Sequence, residues 1–146
     1  MQFNCKFYYY CYCYDYCRVS TESLKGDYSK VQKGDCIVAF SKADLFSIKS
    51  EIERRTRHKC CVVYGQLPPE TRSTQARLFN DENTGYDVLV ASDAIGMGLN
   101  LNIRRVIFHS TIKAGAREAE SHWIEPSFIK QIGGRAGRLS SMSVLN

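Results

Sequence analysis

Residues 88–101 have the sequence VLVASDAIGMGLNL, in which an apolar, β-branched run passes directly into polar and glycine residues. Such a run, bounded by turn-forming residues, is typical of a strand buried on both faces in a parallel sheet. Ser92 and Asp93 follow the run, and Gly96 and Gly98 come next. Small residues after a strand leave backbone N–H groups available to phosphate oxygens. The segment predicts a phosphate-binding turn, or more simply a tight turn capped by Asp93.

Three more apolar runs of this kind flank the segment, at Cys36–Phe40, Cys60–Tyr64 and Val106–His109. Helical patterns separate the first three strands along the chain. Strands that alternate with helices form a parallel sheet with right-handed crossovers, so the sequence predicts an α/β fold. Ligands of such folds bind at the carboxyl ends of the strands. His109, inside the last run, is interpreted as a packed histidine.

The first helix is predicted to begin at a capping signal formed by Ser41 and Asp44. Its last turn carries Arg54 and Arg55, which complement the helix dipole. The apolar residues of one face are Leu45, Ile48 and Ile52.

Two strands end in an aromatic residue followed by a small one, Phe40-Ser41 and Tyr64-Gly65. The rings either belong to the core or offer surfaces on which bases stack. Ser41 and Lys42 are candidate phosphate contacts.

The second helix is predicted to open at Pro68-Pro69 and to run to about Asn80. Arg72, Gln75 and Phe79 lie on one stripe of this helix. Phe79 is most simply a core residue. Arg72 and Gln75 belong either to a solvated face or to the wall of a ligand groove.

Near the end of the chain, residues 131–138 have the sequence QIGGRAGR, preceded by a short predicted helix over Pro126–Ile132. Arg135 and Arg138 each follow a glycine, and Gln131 lies four positions before the first arginine. Glycine lets the backbone approach a ligand closely, and paired guanidiniums suit a polyphosphate. The pattern indicates a polyphosphate site, although a basic loop that contains glycines is the simpler alternative.

In their order and spacing, these segments resemble the second RecA-like domain of superfamily two helicases. The stretch SDAIGMGLNLNIRRVIF, followed by GGRAGR, most resembles the sequences of the ATP-dependent RNA helicases of the mitochondrial RNA degradosome (the suppressor of var one, three-like family). The similarity covers Gly34–Ser141. It implies a RecA-like parallel sheet flanked by helices, the helicase C-terminal domain.

The resemblance implies a role for each motif. Gln131 would orient the terminal phosphate or its attacking water, and Arg135 and Arg138 would be arginine fingers. Ser92 stands where the family usually has threonine, and its hydroxyl would contact the nucleic-acid backbone. The residues implied to bind nucleotide are Asp93, Gly96, Gly98, Gly134 and Gly137. The residues implied to bind nucleic acid are Ser41, Lys42, Gly65, Arg72, Gln75 and Ser92.

The resemblance also implies ligands, partners and a location. The ligands would be RNA and ATP with Mg²⁺, whose metal ligands are expected in the first RecA-like domain. That domain would be a partner, as would an exoribonuclease, and the location would be mitochondrial. A non-catalytic nucleic-acid-binding module derived from a helicase and a DNA-acting helicase are the alternatives.

Two motifs of a complete helicase do not occur in the sequence, a G-x-x-x-x-G-K-[ST] phosphate loop and a DExH-type acidic motif. Both belong to the first RecA-like domain, so this chain by itself is expected to lack ATPase activity. A RecA-like domain would continue into another strand after Asn146, so residues 34–146 are expected to form a partial domain.

Composition places few limits on function. The 146 residues are 44% hydrophobic and 24% charged, which suits one globular domain. The net charge of +5 and a pI near 8.8 favour an acidic partner such as nucleic acid. No apolar run reaches the roughly eighteen residues that span a bilayer, so no membrane association is expected. Among the seven cysteines, Cys36, Cys60 and Cys61 lie in strand-like runs and are interpreted as buried thiols.

Residues 1–33 differ from the rest of the chain, because most tyrosines and four cysteines crowd into them. The segment lacks the arginine-rich character of a transit peptide and the cleavage site of a secretory signal. The spacing of Cys11, Cys13 and Cys17 does not match the usual zinc pairs, and no metal site is assigned. We therefore interpret 1–33 as an atypical segment and linker, and the polar stretch Lys113–Glu125 as a surface loop.

Overall fold

The computed structural model describes residues 11–13, 18–20, 24–96, 98–113 and 121–136. In chain order the elements are β1 (Cys11–Cys13), β2 (Arg18–Ser20), a 3-10 helix (Tyr28–Lys30), β3 (Asp35–Val38), α1 (Lys42–Arg55), β4 (Cys60–Val63), α2 (Pro69–Asn80), β5 (Val88–Ala91), a second 3-10 helix (Asp93–Gly96), β6 (Arg105–Phe108), β7 (Ile112–Lys113), β8 (His122–Trp123) and α3 (Pro126–Gly133).

The main sheet has the strand order β2-β1-β6-β3-β5-β4. The four strands β6, β3, β5 and β4 run parallel, whereas β1 pairs antiparallel with both β6 and β2. The predicted parallel sheet is therefore confirmed, and each of its four strands lies within two residues of its predicted bounds. Because the strands are parallel, their carboxyl ends share one edge, which we call the carboxyl edge.

Alternate residues of the central strands pack into two layers on opposite faces of the sheet. On one face, Ile37 and Ile107 pack with the apolar side of α1. On the other face, Val38 and Phe108 pack with α2 and α3. These four side chains are fully buried, and each contributes on the order of 2 kcal/mol from burial. The sheet is thus covered by helices on both faces, which fixes the loops at its carboxyl edge.

Both long helices agree with the sequence pattern. The Oγ of Ser41 accepts a 3.4 Å hydrogen bond from the Asp44 N–H and caps α1. The face of α1 that packs on the sheet carries the buried residues Leu45, Ile48 and Ile52, as predicted. In α2, Pro69 occupies the first turn and Phe79 is buried in the core, also as predicted.

The entry to β3 depends on a close approach of two backbone segments. Gly34 has a φ of +89°, and its carbonyl oxygen accepts a 2.8 Å hydrogen bond from the Arg104 N–H. A Cβ at this position would lie 2.7 Å from Cγ and Cδ of Arg104. The next residue, Asp35, is buried and forms a bidentate ion pair with Arg105, with one contact of 2.7 Å between Nε and Oδ1. Together these contacts join β3 to β6.

The packed region extends upstream of Gly34, where the sequence analysis placed the start of the domain. Leu24, Tyr28 and Val31 are buried in the same layer as α1. Their spacing of three or four residues within a polar stretch gave too short a pattern to indicate a packed segment.

The interpretation of Lys113–Glu125 as a loop is wrong at both of its ends. Ile112 pairs with Trp123, and Lys113 pairs with His122, in a two-stranded antiparallel ribbon. Strands of two residues are too short to produce an alternating pattern, so no sequence pattern indicates them. Residues 114–120 of this stretch lie outside the described part of the chain.

The interpretation of the core cysteines is confirmed. Cys36, Cys60 and Cys61 are buried and free. Burial raises the pKa of the Cys60 thiol to about 12 and that of Cys61 to about 11, which keeps both thiols protonated and unreactive. Among the described residues, no helix has both the length and the apolar character that crossing a bilayer requires.

Candidate functional site

The carboxyl edge of the sheet brings together several of the predicted site residues. Ser41 begins α1 shortly after β3, Gly65 follows β4, and Ser92 comes directly after β5. A chain that alternates between strands and helices places these positions on one edge, although they are far apart in sequence.

Ser92 organises the turn that follows β5. Its N–H donates to the Val63 carbonyl at 3.0 Å, and its Oγ accepts from the Ala94 N–H at 3.2 Å. Ser92, rather than Asp93, therefore supplies the side-chain cap of the 3-10 helix Asp93–Gly96. A hydroxyl that accepts one hydrogen bond still has its own proton to donate, so Ser92 remains able to contact a phosphate oxygen. The Asp93 carboxylate lies 3.9 Å from the Lys113 ammonium on β7.

The two glycines of this turn differ in geometry. Gly98 has a φ of +71°, a conformation that side chains of L-residues rarely adopt. No atom of the described residues lies within 4 Å of a Cβ built on Gly96 or Gly98, so the backbone is open on that side. The Gly96 carbonyl is engaged, since it accepts a 2.6 Å hydrogen bond from Nη2 of Arg135.

Arg135 reaches Gly96 because α3 ends in a tight turn. The Gly134 N–H donates to the Lys130 carbonyl at 2.8 Å, and a Cβ on Gly134 would lie 3.1 Å from that oxygen. The Arg135 N–H donates a 3.0 Å hydrogen bond to the Ile132 carbonyl, which continues the turn. Gln131 is exposed on α3. Gly137 and Arg138 lie outside the described residues, so their assigned roles stay predictions.

A cleft of about 280 Å³ lies beside the Arg135 guanidinium. It is open to solvent on one side and is lined by Ile95, Gly98, Leu99, Asn100, Leu101, Ile103 and Arg135. The cleft thus joins the turn after β5, a predicted phosphate-binding turn, to the turn after α3, which carries the first arginine of the predicted polyphosphate site.

Asn80, the last residue of α2, holds the loop that forms one wall of this cleft. Its Nδ2 donates to the Asn100 carbonyl at 2.8 Å, and its Oδ1 accepts from the Asn102 N–H at 2.8 Å. One side-chain amide thereby satisfies both a donor and an acceptor of the loop. Sequence reasoning missed this residue, because the contact depends on tertiary structure and no local pattern indicates it.

The two candidate residues on α2 have different environments. The Oε1 of Gln75 accepts a 3.0 Å hydrogen bond from the Val62 N–H, so Gln75 covers part of the edge strand β4. The Oε1 of Glu53 likewise accepts a 3.0 Å hydrogen bond from the Cys60 N–H on the same strand. The Nε of Arg72 is buried, and none of the described residues accepts a hydrogen bond from it. Gln75 thus has a structural contact, and the buried Nε of Arg72 has none among the described residues.

Aromatic and basic side chains meet where α1 begins. The Lys42 ammonium lies 5.1 Å from the centroid of the Tyr64 ring. The rings of Phe46 and Tyr64 are 6.2 Å apart and inclined at 72°, an edge-to-face arrangement. Tyr64 and Phe40 are half-buried, so each ring packs against the core and keeps part of its surface exposed.

His109 is packed, as predicted. Its Nδ1 lies 2.6 Å from the hydroxyl oxygen of Tyr28, and the two rings are stacked 6.4 Å apart. Burial lowers the pKa of His109, and the nearby Asp44 carboxylate partly opposes that effect. The histidine therefore holds the segment before β3 against the end of β6.

The parallel sheet covered by helices on both faces is that of a RecA-like α/β domain. The family of helicase conserved C-terminal domains matches residues 18–140. The chain belongs to this family.

Named helicases are similar to most of the chain. It is 56% identical over 124 residues to the ATP-dependent RNA helicase SUV3L, mitochondrial, of Oryza sativa subsp. japonica, covering 85% of the chain and 17% of that protein. It is 51% identical over 125 residues to the ATP-dependent RNA helicase SUV3, mitochondrial, of Saccharomyces cerevisiae, covering 86% of the chain and 16% of that protein. It is 54% identical over 114 residues to the ATP-dependent RNA helicase SUPV3L1, mitochondrial, of Mus musculus, covering 76% of the chain and 14% of that protein. The chain thus spans about a sixth of the length of these relatives.

Proposed function

We propose that this chain is the second motor domain of an ATP-dependent RNA helicase that unwinds RNA during mitochondrial RNA decay. Family membership and the names of the relatives support the helicase, its RNA substrate and its mitochondrial location. The observation that carries the mechanism is the hydrogen bond from Arg135 to Gly96, which joins the turn after α3 to the turn after β5.

On the nucleotide side, ATP would lie between this domain and a first RecA-like domain that holds the phosphates and Mg²⁺. Gln131, exposed on α3, would orient the attacking water or the terminal phosphate. Arg135 and Arg138 would stabilise the charge on the transferring phosphoryl group as arginine fingers. Loss of such a finger lowers turnover by about a thousandfold or more.

On the nucleic-acid side, the carboxyl edge would hold the phosphate backbone of one RNA strand. The supporting groups are the Ser92 hydroxyl and the Lys42 ammonium, and Arg72 would contribute from the first turns of α2. Ser41 and Gly65 would contribute at the same edge, and Gln75 would support it through Val62.

The same arginine would couple the two sides. A phosphate oxygen attracts a guanidinium more strongly than a neutral carbonyl does, because the hydrogen bond is charge-assisted. On domain closure, Arg135 would leave Gly96 for the phosphate, and the turn that begins at Ser92 would become free to shift. Cycling between the open and closed states would move the bound strand. An exoribonuclease partner would then degrade the released strand.

The test uses the protein with both RecA-like domains and the substitution Arg135→Gln, which removes the charge. We expect RNA-stimulated ATP hydrolysis and ATP-driven unwinding to be lost. Arg54→Gln is the matched control, because Arg54 pairs with Glu51 on the exposed side of α1, away from the carboxyl edge. Retained unwinding by Arg135→Gln would contradict the assigned role.

The chain by itself is expected to bind RNA in a salt-dependent manner and to hydrolyse no ATP. RNA-stimulated turnover by the isolated chain would contradict this proposal. Salt-sensitive binding that never responds to nucleotide in the two-domain protein would instead favour a non-catalytic binding module. Equal unwinding of DNA and RNA duplexes would favour a helicase without RNA preference.

A further inference from the structure

Phe46 is an exposed aromatic side chain beside the carboxyl edge of the sheet. Its side chain is 46% exposed, although the same helix buries three other apolar residues in the core. Phe46 lies four residues after Lys42, so the two side chains emerge on the same side of α1. A partly exposed phenyl ring therefore lies next to a candidate phosphate contact.

The ring of Phe46 is held in place by its neighbours. Tyr64 contacts it edge to face at 6.2 Å, and the Lys42 ammonium lies 5.1 Å from the Tyr64 centroid. We call these three residues the aromatic ledge. Beyond Tyr64, no atom of the described residues lies within 4 Å of a Cβ built on Gly65. The ledge is therefore a supported surface with open space beside it.

A single nucleic-acid strand is the occupant that this combination favours. Every nucleotide offers a planar base and a charged phosphate, and the ledge offers an aromatic surface next to an ammonium. A protein partner would need a larger apolar patch, whereas Phe46 is a single exposed ring next to a cation. The ledge is also adjacent to Ser41, at the same edge as Ser92.

We propose that Phe46, supported by Tyr64 and Lys42, stacks on a base of the single strand whose phosphates bind at the carboxyl edge. This inference rests on the proposed function, because it specifies how the same groove holds its substrate. Stacking is tolerant of sequence, since every base has an aromatic face. The ledge would thus secure each passing nucleotide without selecting a sequence.

The experiment measures binding of the 146-residue chain to a short single-stranded RNA that contains 2-aminopurine, over a range of salt concentrations. Phe46→Leu keeps the apolar character and removes the aromatic face, whereas Phe46→Tyr keeps the face. We expect Phe46→Leu to weaken binding by roughly fivefold to a hundredfold, with an unchanged salt slope, and to reduce 2-aminopurine quenching. Phe46→Tyr should bind like the wild-type chain.

Lys42→Gln is the matched variant for the phosphate contribution. It should lower the slope of log K against log salt by about 0.7, the value for one phosphate contact on a single strand. The ledge variants should unfold at the same urea concentration as the wild-type chain, because Phe46 and Lys42 are exposed.

The outcomes separate this inference from the proposed function. Salt-dependent RNA binding that Phe46→Leu does not change overturns the ledge and leaves the proposed function in place. If Phe46→Leu changes only the sedimentation of the chain, the ring is a protein contact and the inference is wrong. If the wild-type chain binds no RNA, both the ledge and the proposed groove are overturned.

Discussion

The guanidinium of Arg135 donates a 2.6 Å hydrogen bond from Nη2 to the carbonyl oxygen of Gly96, which precedes it by 39 residues. The bond joins the predicted phosphate-binding turn after β5 to the arginine motif for which the residues predict a polyphosphate site. A single side chain therefore links the turn after α3 with the turn after β5.

The first prediction concerns the geometry of this bond. Arg135→Lys keeps the positive charge but replaces a planar, forked donor by a compact ammonium on a shorter side chain. We expect the free energy of unfolding to fall by about 1–2 kcal/mol, because a hydrogen bond to a charged group is lost or lengthened. Urea unfolding of the chain measures the change. An unaltered midpoint would show that the contact does not stabilise the domain, and Arg54→Lys provides the baseline for the same exchange at an exposed arginine.

The second prediction concerns the loop wall beside Arg135. Asn80→Ala removes the amide that bonds both the Asn100 carbonyl and the Asn102 N–H. We expect the free energy of unfolding to fall by about 1–3 kcal/mol, since the partly buried Asn102 N–H is left without its acceptor. Hydrogen exchange should accelerate in residues 98–102 and remain unchanged in the central strands.

Asn83→Ala is the control for the loop prediction. The Asn83 side chain makes one exposed 3.3 Å contact with Asp81 in a surface turn. Its removal should leave exchange in residues 98–102 unaffected. Equal exchange rates in the two variants would mean that Asn80 does not hold the loop.

Much of the fold could be predicted because its local patterns agree with its tertiary contacts. The buried runs that became β3 to β6 are mostly apolar, as strands covered on both faces must be. The charged residues in these strands, Asp35 and Arg105, pair with each other. The cap at Ser41 and the buried stripe of α1 depend on neighbours in sequence. The ribbon between Ile112 and Trp123 escaped prediction because each of its strands has two residues.

The candidate site was predictable in its motifs and not in its contacts. QIGGRAGR and SDAIGMGLN could be identified from residue types, yet nothing in either stretch indicated that Arg135 bonds Gly96. Asn80 and Gln75 act on backbone groups distant in sequence, so only the folded chain reveals them. Sequence therefore located the carboxyl edge, and tertiary structure determined which side chains hold it together.

The third prediction concerns Gly34, whose backbone lies against Arg104. Gly34→Ala places a Cβ 2.7 Å from two side-chain carbons of Arg104 at a φ of +89°. We expect a loss of more than about 1 kcal/mol in the free energy of unfolding, because both the conformation and the contact oppose a side chain. Gly65→Ala is the matched control, since its Cβ would meet open space. A midpoint for Gly34→Ala equal to that of Gly65→Ala would refute the strain argument.

The last prediction concerns the pH dependence of stability. Burial lowers the pKa of His109 below its ordinary value of 6.5, so the unfolded chain binds a proton more readily than the folded chain. The stability that neutral His109 contributes to the folded chain is therefore fully present above pH 6.5. It is lost as the pH falls from 6.5 through the lowered pKa of the folded state. Urea midpoints measured across this window should decline in the wild-type chain and decline less in His109→Gln. Identical pH profiles for the wild-type chain and His109→Gln would refute the assignment, because the histidine would then titrate alike in both states.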